Sequence, residues 1–251
     1  MRTPPARTPF RSGNPTLNER TFTGVPVTGD AMTVQGTIDK TALLMLLAFV
    51  AAAASWVLGT AGGAGIGGWA LGAALAGLVV AIATFVRPQW SPFTGPLYAL
   101  LEGVFLGLVS MVFEARYPGI ATQAVALTFG VLGAMLLVYR TGLVKVTQRF
   151  RAGVAAATLG IFATYMVSLV LGLFGVRVPL LNDASPLGIL ISLAIVVVAA
   201  LNLVLDFDLI ERGARAGAPR YMEWYAAFGL LVTLVWLYLE LLRLLAKLRE
   251  R

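Results

Sequence analysis

Residues 199–211, AALNLVLDFDLIE, hold the side chains best placed to do chemistry in this chain of 251 residues. A long apolar run ends there in two acids, Asp206 and Asp208, with Asn202 four residues before the first. On a helix Asn202 and Asp206 share one face, while Asp208 points elsewhere. A carboxylate at or inside hydrocarbon is costly, and normally faces a bundle interior or a watery cavity. Residues 203–205, Phe207 and Leu209 surround Asp206 with apolar sequence, which reads as a buried group responsive to protons or cations. The alternative places both acids in the polar headgroup layer, with most force for Asp208.

Composition removes most other chemistry. No histidine and no cysteine occurs. Catalytic triads, histidine or thiolate metal sites, disulfides and histidine pH switches are therefore excluded. Any pH response near neutrality must come from acids whose ionisation is shifted by burial or by a like-charged neighbour. The chain also lacks the Gly-x-Gly-Asp of an aspartyl intramembrane protease, so no enzyme is expected.

The elements that must position these acids are membrane spans. The chain is 59% hydrophobic and 12% charged, against about 25% charged in soluble domains. Its mean hydropathy is +0.85. The net charge of +7 resides in tails and loops, so nucleic acid is not an expected partner. Residues 1–39, with five prolines and no signal-peptide core, read as a disordered cytoplasmic N-terminal tail. Residues 40–251 read as an all-α transmembrane domain.

Seven spans fit, at about 41–60, 69–86, 93–113, 118–139, 152–176, 186–209 and 223–245. A glycine-rich turn at 59–68 separates the first two, and Gly68-x-x-x-Gly72 opens the second. Glu102 lies roughly 13 Å inside the third span at the usual helical rise, beside Gly103-x-x-x-Gly107. It reads either as a functional group or as a structural hydrogen bond to a neighbouring helix. With the N-terminus inside, thirteen of the nineteen basic residues fall on the inner side. The basic C-terminus is the misfit, and a re-entrant last span is the alternative that removes it.

The run LDFDLIE from Leu205, then YAAFGLLVTLVWLYL from Tyr225, resembles the last two helices of the Bax inhibitor-1/YccA family. Arg87-Pro after the second span and TVQGT from Thr33 resemble its bacterial, YccA-related branch. The resemblance covers about residues 32–248. It implies a polytopic seven-helix bundle with helix seven near the centre, in a bacterial inner membrane. It also implies a pH-sensitive calcium leak channel, or alternatively a non-conducting regulator that binds a membrane protease or other membrane complex. The regulator would use the N-terminal arm and the glycine surfaces.

The family's sensor pairs two aspartates, one near the end of helix six and one within helix seven. Asp206 matches the first. Ungapped alignment puts Thr233 at the second, whereas matching Leu-Tyr-Leu-acid selects Glu240. Depth favours Thr233: it lies about 15 Å up its span, Glu240 about 25 Å, and Asp206 about 8 Å from the same end. A literal di-aspartate pair is thus not expected, and Glu102 or Asp208 would supply a second acid. Arg87 matches a family position able to pair with the sensor aspartate; its other reading is an interfacial anchor. Calcium would be transported cargo, bound transiently by Asp206 and Glu102 with carbonyls and waters, and no resident cofactor is expected. The partners expected are the lipid bilayer, calcium ions and a membrane-bound protease.

Overall fold

Inside hydrocarbon every backbone N–H and C=O must be bonded within the chain, so each long apolar run folds as helix. The computed structural model describes residues 31–62, 66–175 and 183–250. Among them are seven helices long and apolar enough to cross a membrane. They are α1 (Val34–Gly62), α2 (Ile66–Val86), α3 (Ser91–Arg116), α4 (Ile120–Arg140), α5 (Gln148–Leu173), α6 (Pro186–Arg215) and α7 (Met222–Arg249). A 3₁₀ turn, Pro88–Trp90, joins α2 to α3. This is the all-α, seven-helix membrane bundle read from the sequence. Residues 1–30 of the expected tail, the middle of the 59–68 turn, and the loop holding Arg177 and Pro179 lie outside the described residues.

The helices run past the charges that bound the expected spans, because those charges find partners within the protein. The clearest case corrects the tail boundary: α1 begins at Val34, inside the 1–39 stretch. The Glu223 carboxylate of α7 accepts from the Thr33 N–H and hydroxyl, both at 2.9 Å, and from Lys40 Nζ at 2.5 Å. A carboxylate at this end satisfies otherwise orphaned helix N–H groups and suits the helix dipole. Gly36 makes the approach possible, since a Cβ there would stand 2.3 Å from Glu223 Oε1. Just upstream, Met32 is buried and donates its N–H to the Ala218 carbonyl at 2.7 Å.

These contacts set the starts of α1 and α7 side by side. α7 then runs 28 residues as one helix, about 42 Å at the helical rise. Its last turns meet the start of α6 through Lys247 and Gly188. It is long and apolar enough to cross a membrane, as expected of a seventh span. α7 packs against α1, α3, α4 and α6, and 72% of its most apolar window is buried, against 6% for α5. Helix seven is the axis of the bundle, as a helix apolar nearly all round must be.

Of the two GxxxG motifs, only the second joins helices. A Cβ on Gly103 would meet the Ala48 carbonyl oxygen at 2.3 Å, and one on Gly107 the Ala52 carbonyl oxygen at 2.2 Å. Nothing lies within 4 Å of such a Cβ on Gly68 or Gly72. Gly107→Ala should therefore lower stability by about 1–3 kcal/mol through overpacking, while Gly72→Ala should be neutral or slightly stabilising. Thermal unfolding of both variants in detergent checks this, and equal midpoints would exclude the α1–α3 approach.

Candidate functional site

Three helices bring polar residues to one seam. On α7, Thr233, Glu240 and Lys247 recur every seven residues; on α5, Arg151, Thr158 and Tyr165 do the same. Two helical turns separate successive members, so each set forms one stripe. The α7 stripe faces α6 and α5, and the α5 stripe faces back.

Asp206 is fully buried on α6, and Thr233 donates its hydroxyl to Asp206 Oδ2 at 2.6 Å. Thr233, not Glu240, is thus the α7 residue that bonds Asp206, while Glu240 bonds Tyr165. One turn earlier, Asn202 is 2% exposed. Its Nδ2 donates to the Thr158 hydroxyl at 2.8 Å and to the Val198 carbonyl at 2.9 Å. Its Oδ1 is buried and accepts no hydrogen bond among the described residues. A buried acceptor left in that state is costly, and is a place where a cation or a water is stabilised.

Towards the α7 C-terminus the seam carries a second polar layer. Tyr165 donates its hydroxyl to Glu240 Oε1 at 2.6 Å and accepts from Arg243 Nη1 at 2.8 Å. Arg243 also approaches the same carboxylate oxygen at 3.3 Å. Beyond it, buried Lys247 donates to Ser192 Oγ at 2.8 Å and to the Gly188 carbonyl at 3.2 Å. Between the two layers lies a cavity of about 440 Å³, walled by Ile161, Thr164 and Tyr165 of α5 and Ile191, Ile195 and Val198 of α6.

The other expected residues take separate positions. Asp208 turns away from Asp206 and pairs with Arg212 at 2.5 Å and Arg151 at 3.2 Å, at the opposite end of the seam from Lys247. Glu102 is buried where α3 meets α2, and a Cβ on Gly77 would lie 3.1 Å from its Oε2. No hydrogen bond or ion pair joins Glu102 to Asp206 among the described residues. Arg87 is exposed, with its guanidinium 5.6 Å from the Trp90 ring centre, and does not pair with Asp206. The reason is packing: α2 lies on α3, whereas Asp206 is enclosed between α6 and α7. Among the described residues no three acids gather into a metal site.

Thr158, Tyr165 and Arg151 were not singled out from the sequence. The signal was present as a seven-residue recurrence of hydrogen-bonding side chains along an otherwise apolar helix. At the seam's charged end the Tyr139 hydroxyl also donates to Glu211, tying α4 to α6.

Thr233→Val removes a donor from a buried carboxyl and should cost about 1–3 kcal/mol. Thr233→Ser, which keeps the hydroxyl, should cost less. Thermal unfolding in detergent reads both, and an unchanged midpoint for Thr233→Val would show that the bond contributes nothing.

The family described as Bax inhibitor 1 like matches residues 11–250. No curated protein and no solved structure matches the chain. A match over nearly the whole length, on a bundle of seven membrane-spanning helices, decides the assignment. The chain is a multi-pass membrane protein that belongs to the Bax inhibitor 1 like family.

Proposed function

We propose that this protein is a pH-responsive cation leak whose cargo is calcium and whose switch is the carboxyl group of Asp206. One observation carries the reading: an acid with no solvent exposure is hydrogen-bonded across α6 and α7 to Thr233. Neutral, that carboxyl is a hydrogen-bonding partner and the two helices close on it. Ionised, it is a charge held in a low-dielectric interior, where its desolvation costs several kcal/mol. Gain or loss of the proton changes the charge between α6 and α7, and the helix packing changes with it. Calcium takes roughly six to eight oxygens. One carboxylate with hydroxyl, amide and carbonyl oxygens binds it weakly, which suits passage rather than storage. No covalent chemistry is assigned to the protein. Its location is a bacterial inner membrane, with the N-terminus in the cytoplasm, as the bias of thirteen basic residues to the α1-start end supports.

Purified protein in liposomes loaded with a calcium dye tests this. The wild type should pass calcium at a rate that changes between acidic and neutral pH. Asp206→Asn, which holds the side chain neutral, should abolish that pH dependence while leaving a folded protein. Calcium flux absent at every pH, together with co-purification of a membrane protease, would instead favour the non-conducting regulator.

A further inference from the structure

Building on the cation-leak reading, we propose that the ion path runs through the seam between α5, α6 and α7, with the Asn202 amide oxygen as the relay next to Asp206 and α5 as the wall that opens. Three independent features point there. The first is Asn202 itself. Its amide nitrogen is committed to Thr158 and Val198, which fixes the flip and leaves the buried oxygen without a partner among the described residues. That oxygen stands one helical turn from Asp206, a separation that puts Cβ atoms about 5–6 Å apart. An acceptor of this kind is what a cation released by a carboxylate meets next.

The second feature is the cavity. It begins at Val198, whose carbonyl holds the Asn202 amide, and ends at the Tyr165 ring, whose hydroxyl holds Glu240. At about 440 Å³ it exceeds the roughly 30 Å³ that a water occupies in the liquid many times over. It is half open to the bundle surface at Gly160, Thr164 and Ala194, and its isoleucine and valine walls make this stretch of the path a hydrophobic constriction.

The third feature is how weakly α5 is held. Only 6% of its apolar window is buried, the lowest share of the seven helices. Polar bonds tie it to the seam at three levels: Arg151 to Asp208 at 3.2 Å, Thr158 to Asn202 at 2.8 Å and Tyr165 to Glu240 at 2.6 Å. Hydrogen bonds between membrane helices average only about 0.6 kcal/mol. Moving α5 therefore breaks few contacts, wets the cavity, and joins the Asp206 layer to the Glu240 layer.

The chain has no cysteine, so single cysteines report local water access directly. Val198→Cys and Ile195→Cys face the cavity, and Ala99→Cys, buried in the α3 core, is the control. Each variant in liposomes is exposed to a permanently charged, water-soluble thiosulfonate reagent and assayed for calcium flux alongside Asn202→Leu and Tyr165→Phe. The seam path predicts that both cavity cysteines react while the control stays inert. It also predicts that Asn202→Leu cuts flux about tenfold or more and that Tyr165→Phe raises it about fivefold, the scale of a lost hydrogen bond. Wild-type flux with inert cavity cysteines and undiminished flux in Asn202→Leu would overturn the seam and leave the leak standing. Reactive cavity cysteines without calcium flux would overturn the leak and leave an aqueous seam. Inert cysteines with no flux would overturn both. Should Asn202→Leu fail to fold, the cysteine reactivities decide alone.

Discussion

Four polar side chains of α7, Glu223, Thr233, Glu240 and Lys247, are each no more than 4% exposed. Each is bonded to another helix or to the segment that leads into one: Thr33 and Lys40 hold Glu223, Asp206 holds Thr233, Tyr165 holds Glu240, and Ser192 holds Lys247. In a low-dielectric interior a buried polar group without a partner costs about 1–3 kcal/mol. Rotating or sliding α7 by one residue would strand several at once, so these bonds fix its register as well as its place. Apolar packing alone could not do so, because the helix offers similar leucine-rich surfaces in many directions.

The same accounting explains the basic C-terminus. Read as loop charges, Arg243, Lys247 and Arg249 argue against that end facing outward. In the fold Lys247 is buried against Ser192 and the Gly188 carbonyl. Arg243 serves Tyr165 and Glu240, and Arg249 bonds the Pro118 carbonyl and Gln123. These cations join helices.

The bundle is unevenly held. α1 and α3 meet with backbones in contact at Gly103 and Gly107, where no side chain intervenes and little can slide. α5 is joined mainly by its polar stripe and has a cavity behind it. Motion in such a molecule concentrates where buried apolar contact is least, so α5 is the helix least constrained by the rest of the bundle.

Composition, the apolar runs and the helical period were enough, by themselves, to establish a multi-pass helical membrane protein with seven spans and an acid at Asp206 inside them. The motif around Asp206 and the one in the last helix were enough to reach the family. Those are local properties: they depend on residues close together in the chain, and a lipid solvent leaves the backbone no other choice. What tertiary structure alone decided is which distant groups meet. That Thr233 faces Asp206, that Asp208 belongs to Arg151 and Arg212, that Arg87 stands apart, and that Glu102 faces α2 all depend on helix rotation and axial register. Rotation and register are set by the sum of many contacts between segments as far as 190 residues apart, as with Thr33 and Glu223. No local pattern encodes that sum.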